Sequence, residues 1–562
     1  MSGKVSTNTS TTSTSTKRAD PLQRTGALKL VLPLFLTTAG VISLFAFMAQ
    51  MGLEADGQPP TKLPPDLQNF KVSAAAVDQS WGNSKTLSKA ERADDLTILR
   101  RLHLALVGTV PSLEEIRAFE EMESQDRIAQ WTNHLLMDPR VGDYLAQRLG
   151  KVFVGIEDGQ FIVFRRDRLN QWLAREILDN RPYDKIVQQM ISEKGLWTGR
   201  PAGNFITAAV TGEEVDENKL AGRSARAFLG QRMDCAQCHD HFFAQWKQHD
   251  FEGLAAFYAP VRISAVGLED QVPFQYVVED SKAEGGKRTV DRRVPFGEEW
   301  VPAQGTERQK LAQWITHEEN RRFDRAIVNR IWGLMFGKPL VEPVDDLPDP
   351  PVERQSDPLD VLADEFRTHG RSLHWLIQVI VQTQAFQQES RHPSAENGDK
   401  FDVASENWAM YPLTRLRPEQ IIGNMLQAWS LQTIDQNSHV FVRLFRLFRE
   451  RDFLKEYGDT GEEELALFTG TIPQALLRMN GEFSRQLSEA TPLSAAGRLA
   501  SLSNDREELV TGVFLACLTR RPTAKELQLI EAMRQAHPVS NAMLAEDLYW
   551  TLFNSPEFSW NH

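Results

Sequence analysis

Residues Asp95–Met122 read DLTILRRLHLALVGTVPSLEEIRAFEEM. Leu96, Leu99, Leu102 and Leu106 recur at three- and four-residue intervals, which is the period of one face of an α-helix. Gly108 closes that run, because a residue without a Cβ readily takes the left-handed conformation that ends helices. Ser112 opens a second helix, with Glu115 three residues on to complete a capping box. The same pattern continues, predicting helices at 126–137, 141–150, 165–179, 182–194 and 218–233, and one over Asp250–Pro260 capped by Asp250. Residues 261–300 differ: FQYVVED, KRTVDRRVPF and GEEWVP are short β-rich runs between charged and glycine turns. Helices resume at ERQKLAQWITHE (307–318) and recur at Arg325–Phe336, Leu359–Thr368, Leu373–Gln382, Pro418–Leu431 and Asp505–Thr519. The expected fold is mainly α, with two packed helical domains (72–260 and 306–562) joined by a small β-rich connector (261–305).

A single transmembrane helix is expected ahead of this body. Residues 1–26 form a polar, Ser/Thr-rich tail carrying Lys17, Arg18 and Arg24. Leu30–Leu53 holds no charge and is long enough for a bilayer core of roughly 30 Å, so 27–53 reads as a signal anchor. Basic residues precede it and Glu54 and Asp56 follow, which places the tail in the cytoplasm and the body in the periplasm or otherwise outside the cytoplasm. A cleaved signal peptide is the competing reading; FAFMAQM offers no clean pair of small residues for cleavage. Residues 54–71 are a proline-rich tether. The formal net charge of -13 argues against a nucleic-acid partner, and no glycine-rich phosphate loop points to nucleotide.

The chemistry centres on RMDCAQCHDHFF, Arg232–Phe243. Three cysteines in an exported chain do not make a disulfide scaffold, and Cys517 lies in an apolar helical run that suits a small buried hydrophobe. Cys235, Cys238 and His239 satisfy the needs of a c-type haem: two thiols spaced for two vinyl groups, and an imidazole beside them for the iron. His241, His249 and Met233 are then candidate distal ligands. Zinc is the rival, with Cys235 and Cys238 joined by His239, His241 or His249 and with Asp240 orienting an imidazole from behind. The usual second pair of zinc ligands a dozen residues on is missing. A plain Cys235–Cys238 disulfide is the third reading, and all three stay open.

The body resembles a paired architecture of planctomycete-type bacteria: the domain of unknown function numbered fifteen forty-nine, labelled a cytochrome-type domain, followed by the one numbered fifteen fifty-three. The resemblance rests on LRRLHLALVGTVPSLEE, RAFLGQRMDCAQCHDHFFAQWKQHDFEGLAAFYA, RAIVNRIWGLMFGKPLVEP, LTRLRPEQI and the ending DLYWTLFNSPEFSWNH. It implies the architecture and a suspected haem, not a reaction; from that haem the expected role is redox or electron transfer, with a redox partner or an envelope assembly as company. The alternative is a non-haem scaffold or metal-dependent hydrolytic accessory in envelope polymer breakdown. Three positions depart from the family pattern: Phe242 replaces a proline, Ala105 an aspartate and Asp357 a histidine.

Other polar groups read more plainly. Asp345, Asp346 and Asp349 form a solvated acidic loop rather than a calcium site. Arg415, Arg417 and Glu419 are an ion-paired helix start at Pro418, and Asn329, Arg330 and Trp332 are a helix core with a polar edge. His103 and His374 are interior histidines, and no nucleophile elbow is present.

Overall fold

Helices here begin where a short polar side chain takes up the free N–H groups of a first turn. Asp94 accepts from Leu96 and Thr97 to start α2 (Asp95–Leu106), and the Ser112–Glu115 capping box starts α3 (Leu113–Glu121). The computed structural model describes residues 64–81, 89–123, 125–155, 164–196, 199–212, 214–242, 244–264, 267–280, 285–351, 357–392, 399–435 and 472–562. The signal anchor expected at 27–53 lies outside them. Among the described residues no helix is long and apolar enough to cross a membrane.

The chain is mainly helical, as its periodicity predicts. After α1 (Leu67–Ser80) and the two helices above come α4 (Arg127–Leu136), α5 (Pro139–Val154), α6 (Arg166–Leu178), α7 (Tyr183–Ser192), α8 (Glu217–Ser224) and α9 (Gln248–Tyr258). Two antiparallel hairpins follow, pairing Val261–Ile263 with Leu268–Asp270 and Tyr276–Glu279 with Lys287–Val290. The third expected β run, GEEWVP, is instead a 3-10 turn over Glu298–Trp300. Gly297 enters it at φ +58° with the Trp300 indole lying against its Cα, so any Cβ there would strike the ring. Beyond the hairpins lie α10 (Glu307–Ile315), α11 (Arg321–Phe336), α12 (Pro358–Thr368), α13 (Leu373–Gln382), α14 (Pro418–Trp429) and α15 (Arg506–Leu518).

The hydrophobic interior runs without a break from Phe70 to Phe558. Helix α1 packs on α12 and α13, α2 on α11, and α7 on α10, so helices from both halves share one core. Fully buried Arg101 of α2 fixes this further, donating to the carbonyls of Phe386 (2.9 Å) and Gln388 (2.8 Å). Arg308 does the same from α10. It is buried, forks onto Asp270 at 2.8 and 3.1 Å, and donates to the Ile191 and Glu193 carbonyls.

Two local expectations are corrected. The helix foreseen over 218–233 stops at Ser224, widens into a π turn over Ala225–Leu229 and ends at Gly230 in the left-handed conformation (φ +60°). Helix α9 is not capped by Asp250. That residue lies inside the first turn, where its carboxylate reaches back to the Lys247 N–H at 2.9 Å.

Candidate functional site

The Cys-x-x-Cys-His stretch follows directly from that π turn. A helix end leaves carbonyls without intrahelical donors, and Arg330 of α11 supplies them: its guanidinium donates to the carbonyls of Ala227 (2.6 Å) and Arg226 (2.8 Å). Past Gly230 the chain forms a single 3-10 turn, Asp234–Gln237, closed by the Ala236 N–H on the Met233 carbonyl at 2.9 Å. Met233 and Ala236 are buried and hold the turn on the core, whereas Cys235 and Cys238 are both exposed and not disulfide-bonded. Cys235 lies within the 3-10 turn and Cys238 directly follows it.

His239 follows, also exposed, with its ring 4.5 Å from that of Phe242. Its Nδ1 lies 2.8 Å from the Asp240 carbonyl oxygen. A carbonyl only accepts, so Nδ1 carries the proton and Nε2 is the nitrogen with the lone pair. This is the arrangement by which a backbone oxygen orients a ligating imidazole. The Asp240 carboxylate is engaged elsewhere, accepting the Gln248 N–H at 3.1 Å and pairing with Lys247 at 3.3 Å. The Gln248 N–H above all, with Lys247 in support, keeps that carboxyl below its ordinary range.

The other candidate ligands have local partners. His241 accepts the Ala244 N–H on Nδ1 at 2.9 Å, and His249 lies 3.3 Å from Asp250. The Met233 thioether is buried with its residue at 1% exposure. Among the described residues no three His, Cys, Asp or Glu side chains form a metal-binding group. Cys235, Cys238 and His239 thus stand as neighbouring donors, the two thiols exposed and the imidazole tied through Nδ1. Phe242, 78% exposed where the resemblance expects proline, is the one large apolar side chain exposed on the described part of this loop.

What frames the turn was not foreseen in the sequence. The acidic loop read as merely solvated lies against it. Asp345 takes both faces of the Arg232 fork at 2.9 Å, and Asp346 accepts the Arg232 N–H at 3.2 Å. The Leu347 N–H donates to the Gly230 carbonyl at 2.8 Å, and Gln231 returns a bond to the Leu347 carbonyl at 2.7 Å. Asp349 accepts from Gln245 at 2.9 Å and pairs with Arg322 at 2.7 Å. No spacing rule links residues more than a hundred positions apart, and the only sequence signal was the repeated aspartate.

The remaining candidates are structural. Buried His103 accepts the Trp131 indole N–H at 3.0 Å, and Asp357 caps α12 through the Asp360 N–H at 2.9 Å. Ala105 and His374 are buried, and burial lowers the His374 pKa. Burial likewise pushes the Cys517 thiol well above its ordinary range. Glu419 bridges Arg148 (2.6 Å) and Arg417 (3.3 Å); burial opposes ionisation, but the two arginines hold its carboxyl below the usual value. A separate open cleft of about 1530 Å³ is lined by Glu91, Glu389, Arg391, Arg520 and Trp560, with no residue of the cysteine turn among its walls.

Two family descriptions match the chain in sequence. Residues 75–263 match PSCyt2, a protein of unknown function (DUF1549), and residues 307–534 match PSD1, a protein of unknown function (DUF1553). No curated protein and no solved structure matches it.

Proposed function

Because the chain belongs to the paired DUF1549 and DUF1553 families, the first of which carries a cytochrome-type label, we propose that it is an exported, membrane-anchored redox protein bearing a c-type haem. The observation that carries this reading is the turn itself. Cys235 and Cys238 stand exposed three residues apart, and the next residue is an imidazole whose Nδ1 is tied to a carbonyl. In this reading Cys235 and Cys238 hold the haem through thioethers, and His239 ligates its iron through Nε2. The bound group supplies a one-electron couple. The protein's own part is to keep both thiols accessible for attachment, to fix the tautomer of His239 and to anchor the turn through Met233 and Ala236. The hydrophobic stretch 27–53 anchors the body outside the cytoplasm, where such a haem is attached, within reach of a redox partner or an envelope assembly.

One observation favours the second reading, a non-haem scaffold that displays a dithiol. The surface around the turn is polar, built from Arg232, Asp234, Asp240 and Lys247, with Phe242 as its one exposed aromatic among the described residues. An absorption spectrum and an intact mass of the exported body separate the two. The protein is made in a host competent for cytochrome c maturation, beside a Cys235→Ala/Cys238→Ala control. A Soret band and a covalent haem mass that vanish in the control support the haem. A folded, exported, colourless product of unmodified mass retires it in favour of the scaffold.

A further inference from the structure

We infer that the second half of the chain is a built-in clamp for the Cys-x-x-Cys-His turn, with Arg330, Asp345, Leu347 and Asp349 as its positioning residues. The inference rests on the proposed function only for the purpose of the site, since every bond in the clamp forms without a cofactor. The stretch that carries the thiols is held on both flanks. Upstream, Arg330 caps the π turn and Leu347 exchanges two bonds with Gly230 and Gln231. Arg232 is gripped through its guanidinium by Asp345 and through its backbone by Asp346. Downstream, Asp349 holds Gln245, and Arg322, paired with Asp349, lies 5.6 Å from the centre of the buried Trp246 ring. The loop from 343 to 350 thus spans the two ends of the thiol-bearing segment and fixes how far apart they are.

Releasing the clamp loosens the spacing of the two ends of the segment and favours the reduced pair of thiols, because a disulfide needs its two sulfurs held within bonding reach. In this chain the part that matches the first family supplies the thiols and the part that matches the second holds their segment in place.

The test uses the full chain, purified in detergent from cells that lack cytochrome c maturation, so that no haem is present. Cys235 and Cys238 are equilibrated with glutathione and its disulfide, two thiols giving one protein disulfide and two glutathione thiols, and the disulfide fraction is read by mass after alkylation. Asp345→Asn/Asp349→Asn is expected to lower the equilibrium constant for disulfide formation at least threefold, about 14 mV for a two-electron couple. Its melting temperature stays within a few degrees, and Asp345→Glu/Asp349→Glu restores the parent equilibrium. Asp345→Asn alone is measured alongside, so that poor folding of the double variant cannot hide the answer. Equilibria that coincide with the parent chain overturn the clamp. A chain that takes up no haem yet shows the shift keeps the clamp and loses the haem reading; one that takes up haem without the shift does the reverse.

Discussion

Replacing Gly230 with alanine probes the junction on which the site hangs. Gly230 sits at φ +60°, and a Cβ built there lies 3.1 Å from Leu347 Cδ1, 3.3 Å from Leu347 Cγ and 3.4 Å from Ala326 Cβ. A non-glycine residue in the left-handed region costs about 1–2 kcal/mol. Leu347 is 5% exposed, so its branch has little room to yield, and overpacking of this kind adds about 1–3 kcal/mol. Gly230→Ala is therefore expected to destabilise the body by about 2–5 kcal/mol. The steric part belongs to Leu347 and the backbone part does not. In a Leu347→Ala background the same change should cost only about 1–2 kcal/mol, a coupling of about 1–3 kcal/mol between the sites. Urea titrations of the four chains, followed by far-ultraviolet circular dichroism, supply the cycle. An equal cost in both backgrounds, or a cost below about 0.5 kcal/mol in the parent, would refute the reasoning about how the acidic loop meets the turn.

Three other outcomes are expected. His103 is fully buried, and burial, only partly offset by Glu115, lowers its pKa to about 4, so below pH 6.5 the unfolded chain takes a proton that the folded chain refuses. The stability from this residue is complete above pH 6.5 and falls by about 3 kcal/mol as pH drops to 4; denaturation midpoints of His103→Gln should lack that slope, and parallel pH curves for the two chains would contradict it. Arg308→Met leaves Asp270 without its fork and should cost about 3–5 kcal/mol, relieved in part by Asp270→Asn, as read from urea midpoints. Asp357→Ala removes the α12 cap and should cost about 1 kcal/mol, whereas Asp357→Ser should be nearly neutral; equal losses would show that the cap bond is not what matters.

Local chemistry made much of the fold readable in advance. The leucine spacing of 96–106 and the Ser112–Glu115 box gave α2 and α3 because both signals act within one or two helical turns. The expected helix over 218–233 failed at Ser224 for a tertiary reason. Its last carbonyls are bound by Arg330, over a hundred residues away, and so need not continue an α-helix. The same limit applies to the site. The spacing of Cys235, Cys238 and His239 singled out the candidate site, and the structure adds that the thiols are accessible and that the imidazole is tied through Nδ1.

Nothing near Asp345 or Asp349 announced a role, since an aspartate in a proline-rich loop looks the same whether it faces water or an arginine from another helix. The difference is visible in the partners. An acidic loop that only solvates would leave its carboxylates scattered, yet Asp345, Asp346 and Asp349 accept bonds from the two ends of one segment, Arg232 and Gln245. Exposed pairs of this kind contribute little to stability one by one, about 0–1 kcal/mol each. Their value lies in geometry: several weak bonds across one short segment restrict where its ends can go, and a dithiol or a doubly attached haem depends on that restriction more than on the free energy of any single bond.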